Sequence, residues 1–198
     1  GGGGVGVARA VGLPSAEWVK YLLELPAPRY RCAVPWWDRV PVSVPDCAPD
    51  AREARLHGNA SYRRGEWVEA CQRYTEALGV DPDCAVLLSN RSAAYLARGD
   101  AERALADAED CAASEPSWWK AHFRRGRALS GQHRSDEASL AFAVAHHLNP
   151  RGVATRDALV QSLKASCPRF QALGPAELSR GPLLGQRDLC VALREIFH

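Results

Sequence analysis

The sequence predicts an all-α fold, a short solenoid of paired antiparallel helices closed by one further helix. Three observations carry this prediction. From Ala51 the chain repeats itself with a period of 34 residues, as Pro82, Pro116 and Pro150 show. Small residues recur at fixed points of the period. A glycine recurs at the point where two helices of a pair must turn, at Gly65 and Gly99.

The columns have a physical reason. Ala70, Ala104 and Ala138 form one column, and Gly58, Ser92 and Gly126 another. Two helices that cross closely leave room only for small side chains at the crossing. Ala77, Cys111 and Ala145 keep the same spacing, as do Tyr74, Ala108 and Phe142. Large residues such as Tyr62, Tyr74, Tyr95 and Phe142 fill the spaces between crossings. Each proline closes a repeat because it cannot continue a helix. His133 stands in the third turn where the first two have glycine. This 34-residue pattern is the signature of tetratricopeptide repeats.

Taken in order, residues 1–50 form a Gly/Pro-rich N-terminal segment. Residues 1–14 are Gly-rich and are expected to lack fixed structure. A short helix is predicted over 15–25, with Ser15 as its cap and Trp18, Leu22 and Leu25 on one face. Prolines at 26, 28, 35, 41, 45 and 49 then favour extended backbone. Tyr30, Trp36 and Trp37 in that stretch are expected to pack on the helical domain or a partner.

The repeat domain spans 51–166. First helices are predicted near 51–64, 84–97 and 118–130, and second helices near 67–79, 101–113 and 135–147. Asp100, Ser117 and Ser135 are the expected caps. Repeat arrays expose an apolar face at each end. The predicted capping helix presents Val153, Leu159, Val160 and Leu163 to cover it. Residues 167–198 form a tail with short helices. The start lacks Met and the end is apolar, so the chain reads as a piece of a longer protein.

Composition excludes several classes. The net charge of +2 argues against a bulk electrostatic nucleic-acid binder. No apolar run reaches the length of a membrane span. Seven dispersed cysteines without a CxxC pair suit a reducing compartment, so a cytoplasmic location is expected. No metal-ligand spacing, phosphate loop or catalytic triad order stands out, so no cofactor, metal site or enzyme activity is expected within this chain. His122 has Gly126, not a second ligand, at i+4, so it reads as a packing residue. Arg125 and Arg127 read as solvated charges. The sequence does not fix the oligomeric state.

RLHGNASYRRGEWVEACQRYTEALGVDP, LLSNRSAAYLARGD and WWKAHFRRGRAL together resemble the three-repeat co-chaperone domains of the two-carboxylate-clamp type. The resemblance covers about residues 51–165. It implies a right-handed superhelix whose first helices line a concave groove. It also implies that the groove binds the acidic EEVD tail of heat-shock protein 70 or 90. The family's clamp residues map onto Arg55, Asn59, Asn90, Lys120 and Arg124. Groove positions Tyr62, Ala93, Leu96 and Phe123 are then expected to contact the peptide upstream of its end. One departure is that the first clamp residue is usually Lys and is Arg here.

These residue types suit the chemistry. A free C-terminus beside an acidic side chain brings two carboxylates into one pocket. Arg meets a carboxylate with a planar fork, and Lys with a point charge. Asn59 and Asn90 add neutral NH2 donors without adding repulsion between cations. Lys120 and Arg124, four apart, share one helix face. With 25 Lys and Arg in all, the chain has only three Lys, at 20, 120 and 164, which gives the Lys at a clamp position some weight. Two alternatives stay open. One is a repeat scaffold for other peptides. The other is the chaperone-docking module of a larger enzyme such as a ubiquitin ligase.

Overall fold

The computed structural model describes residues 46–149 and 151–166. The predicted helix 15–25, Tyr30, Trp36, Trp37 and the tail 167–198 lie outside the described residues. A short 3-10 turn, Pro49–Ala51, leads into α1 (Arg52–Arg64), α2 (Trp67–Val80), α3 (Ala85–Ala97), α4 (Ala101–Ser114) and α5 (Trp119–Gly131). Then come α6 (Ser135–Leu148) and α7 (Val153–Ser166). No strand occurs among the described residues, so the all-α repeat prediction is borne out. No helix there is long and apolar enough to cross a membrane. The described helices fall into two compact units, α1–α5 and α6–α7.

Three turns follow one design. In each, the turn residue donates its backbone N–H to the carbonyl three residues back, and the next residue donates to the one five back. Gly65 and Glu66 do this with Tyr62 and Ser61, Gly99 and Asp100 with Leu96 and Tyr95, and His133 and Arg134 with Ser130 and Leu129. This pattern requires a left-handed residue after the helix. Gly65 and Gly99 adopt φ of 80° and 89°, and His133 adopts 59° without being glycine. The left-handed conformation costs an L-residue roughly 1–2 kcal/mol. His133→Gly is therefore expected to raise the stability of the domain by about 1 kcal/mol, measured as a shift in urea midpoint without a change in slope. An unchanged or lower midpoint would mean that the imidazole itself supports the turn.

Pro82 and Pro116 act as predicted, while Pro150 lies outside the described residues. The residues before Pro82 and Pro116, namely Asp81 and Glu115, leave the helical region at φ −134° and −129°. Steric pressure from the proline ring drives that change. Asp81 then accepts the Ala48 N–H at 2.8 Å, which ties the lead-in segment to the α2–α3 turn.

In the first two repeats the small columns sit at the crossings of α1 with α2 and of α3 with α4. Gly58, Ser92 and Gly126 are buried, and Ala70, Ala104 and Ala138 have no exposed surface. A Cβ on Gly58 would lie 2.7 Å from Cε1 of the buried Tyr74 ring, so only glycine fits against that tyrosine. Ser92 uses its closeness differently, donating its hydroxyl to the Ala104 carbonyl at 2.7 Å. Leu87 and Leu129 are fully buried, each a gain of roughly 1.5–3 kcal/mol over exposure. Arg91 forks onto Asp107 with two 2.8 Å hydrogen bonds and also donates to Thr75 Oγ1 at 3.1 Å. One guanidinium thus joins α2, α3 and α4.

Some expectations need correction. Asp100 does cap α4, its side chain accepting the Arg103 N–H. Ser117 does not cap α5, because the turn through Trp118 delays the helix by one residue. Ser135 is the first residue of α6, not its cap. On α7, Leu159 and Leu163 are fully buried as predicted, but Val153 is 60% exposed. Thr155 is buried in its stead, donating its hydroxyl to the Gly152 carbonyl at 2.8 Å. Ser139 and Ser162, 2.8 Å apart, join α6 to α7.

Candidate functional site

The site lies within the α1–α5 unit and is built on α1, α3 and α5, the first helices of the three repeats. Its foundation is Tyr74 on α2. Burial pushes the Tyr74 phenol up to about 12, so it stays protonated. It donates to Asn59 Oδ1 at 2.7 Å. The same oxygen accepts Asn90 Nδ2 at 3.2 Å. Both acceptor directions of Asn59 are thereby spent inside the protein. Its NH2 group is left as the donor for anything that enters. Gly58 is what lets the Tyr74 ring approach α1 closely enough for this.

Asn59, Tyr62, Arg63, Tyr74, Asn90, Ala93 and Arg124 line an open pocket of about 210 Å³. Arg124 enters it from α5. Its Nε reaches Ser89 Oγ at 3.5 Å, a neutral partner. Among the described residues no carboxylate pairs with it. Burial lowers its pKa, the mark of a guanidinium partly stripped of water. The deep part of the pocket therefore carries an uncompensated positive charge.

The structure thus brings together Asn59, Asn90, Arg124, Tyr62 and Ala93. It does not bring every expected residue there. Arg55 is turned to the chain's own Asp46, Nη2 to Oδ2 at 3.2 Å, and does not line the pocket. Lys120 is exposed, its Nζ 5.7 Å from the ring centres of both Trp118 and Trp119. Leu96 packs towards the end of α5, its Cδ1 2.9 Å from where a Cβ on Gly131 would stand. Phe123 meets Trp119 edge to face at 6.1 Å. Neither Leu96 nor Phe123 lines the pocket.

Sequence reasoning missed two lining residues. Tyr74 was expected as a space-filler, not as the group that orients Asn59. Arg63 was not singled out, although Arg55, Asn59 and Arg63 stand at i, i+4 and i+8, one stripe of α1. Arg125 is a correction: it is half-buried and pairs with Glu109 at 3.6 Å, not solvated. His122 is buried and donates its Nε2–H to the Pro116 carbonyl at 2.7 Å, in keeping with a packing role.

No protein-family model matches the chain. Among curated proteins, the fission yeast heat shock protein sti1 homolog is 37% identical over 92 residues, covering 46% of this chain and 16% of that protein. Among solved structures, the Sgt2 tetratricopeptide domain of Aspergillus fumigatus superposes with a TM-score of 0.60 at 28% identity. The match covers 69% of this chain and 91% of that one. The first tetratricopeptide domain of Spaghetti (RPAP3), bound to the HSP90 peptide SRMEEVD, matches at 28% identity and a TM-score of 0.56. There the match covers 58% of this chain and 91% of the other. The chain spans between 5% and 32% of the length of the curated relatives it matches. Its repeats are therefore a tetratricopeptide-repeat domain homologous to those of the Sti1/Hop and Sgt2 co-chaperones.

Proposed function

We propose that this domain is a non-enzymatic docking module that grips the acidic C-terminal tail of heat-shock protein 70 or 90 chaperones. The protein would then act as a co-chaperone adaptor in the cytoplasm. The observation that carries this reading is the pocket itself: a half-buried Arg124 without a carboxylate partner among the described residues, facing two oriented asparagine amides. A ligand carboxylate supplies the charge that the protein leaves out. Arg124 and the Asn59 and Asn90 amides hold the terminal carboxylate. Lys120, exposed on the same helix face as Arg124, meets the acidic side chain beside it. Arg55 joins the clamp only when a ligand carboxylate displaces Asp46. Tyr62 and Ala93 contact the residue before the end. The peptide-bound relative described above favours the same occupant.

Calorimetric titration with a peptide ending in EEVD tests this, in free-acid and C-terminally amidated forms. The free acid is expected to bind at least about tenfold more tightly, since amidation removes a desolvated charge contact. Raising the salt concentration should weaken the free-acid complex, because the rim charges are partly exposed. Equal affinity for the two forms would sink the clamp reading and leave a generic peptide scaffold.

A further inference from the structure

The resemblance assigns the one clamp cation on α1 to Arg55, yet the structure gives that residue a partner of its own. Asp46 Oδ2 sits 3.2 Å from Arg55 Nη2, and only 17% of the Arg55 side chain is exposed. Two turns further along the same stripe stands Arg63, about 12 Å away at 1.5 Å per residue. Arg63 is exposed and lines the pocket, and among the described residues it makes no ion pair. Its neighbour Arg64 is different: it pairs with Glu66, donates to Ser61 and does not line the pocket. Two guanidiniums without carboxylate partners among the described residues, Arg63 and Arg124, therefore border one pocket of about 210 Å³.

Both belong to helices that the pocket joins, α1 and α5. Two cations that line one small volume leave it positively charged when it is empty. A ligand with a single carboxylate matches one of them. A ligand with two closely spaced carboxylates matches both, and a planar fork on each side suits two separate carboxylates better than one shared.

We propose that Arg63 is a specificity-determining cation of this pocket, pairing with an acidic side chain just upstream of the ligand's C-terminal carboxylate while Arg124 holds the carboxylate itself. This rests on the docking function proposed above and extends it. The domain selects peptides with a second acidic group near the end, and it does so from the Arg63 end of α1, not only the Arg55 end.

The test is calorimetric titration of wild type, Arg63→Gln and Arg64→Gln with an EEVD free-acid peptide, its amidated form, and versions with each Glu changed singly to Gln. Arg63→Gln is expected to weaken EEVD binding about tenfold, and Arg64→Gln, which removes the same charge, less than about twofold. Against one of the Glu→Gln peptides the Arg63→Gln penalty should vanish, since the pair is already broken. Suppose that wild type prefers the free acid but Arg63→Gln binds as wild type does, or both variants weaken binding equally. Then the role of Arg63 is overturned and the clamp stands. If wild type does not distinguish free acid from amide, the clamp and this extension fall together.

Discussion

Arg124→Gln is expected to lose binding of an EEVD free-acid peptide by roughly 30-fold or more while leaving the fold as stable as before, or slightly more stable. The two halves of this result have one cause. Arg124 is held partly out of water, and among the described residues its hydrogen-bond partner is a neutral serine hydroxyl at 3.5 Å. A charge in that state opposes folding. Removing it relieves the cost, so thermal stability should not fall. The same desolvation strengthens its pull on an incoming carboxylate. Truncating one partner of such a pair typically costs about 2–5 kcal/mol of binding. Glutamine keeps a donor and much of the length, which preserves the packing beside Tyr62 and Tyr74. The measurement is peptide titration together with thermal melts of the same samples. Lys120→Glu serves as a second arm, because Lys120 is exposed and its change should leave the melt within about 0.5 kcal/mol. If Arg124→Gln bound as wild type does, the pocket would not be a carboxylate site. If it melted well below wild type, Arg124 would be a structural residue and its lack of a carboxylate partner would mean something else.

How much of this was legible beforehand depends on what leaves a mark in sequence. Backbone proximity does. Gly58, Ser92 and Ala104 repeat because two helices cannot approach closely over large side chains. Left-handed turns do too, which is why Gly65 and Gly99 marked the register that His133 then obeyed without glycine. The helix ends at Asp81 and Glu115 followed from the prolines after them. Side-chain partnerships across helices leave no such mark. Nothing in the spacing of Tyr74, Asn59 and Asn90 says that two donors converge on one amide oxygen. Asp46 lies in a stretch read only as proline-rich, so its hold on Arg55 had no signal. Arg63, next to Arg64, has nothing in its local sequence to set it apart from its neighbour. The stripe Arg55–Asn59–Arg63 was the one clue, and it becomes informative only once α1 is known to face a pocket.

A second large effect is expected from pH, through a residue that makes no claim on the ligand. His122 is buried on α5 between Lys120 and Arg124, and burial lowers its pKa to about 4. The neutral ring donates its Nε2–H to the Pro116 carbonyl at 2.7 Å and so anchors the start of α5 to the preceding turn. In the unfolded chain the same group titrates near 6.5. On acidification the unfolded state therefore takes up a proton first. The stability linked to His122 is fully present above about pH 6.5 and is lost progressively as the pH falls towards 4. A shift of this size corresponds to up to about 3 kcal/mol, a large share of a small domain's stability. His122→Gln keeps a donor at a similar reach but cannot titrate. Urea unfolding at pH 7 and at pH 4.5 should show wild type losing roughly 2 kcal/mol more than His122→Gln between the two conditions. Other groups also titrate in this range, and the difference between the two proteins removes their common contribution. Parallel losses would mean that His122 is protonated in the folded state at an ordinary pH. The Pro116 anchor would then not depend on a neutral ring. If the difference appears, peptide binding should fade below about pH 5 in wild type sooner than in His122→Gln, because Lys120 and Arg124 are carried on the helix that His122 holds in place.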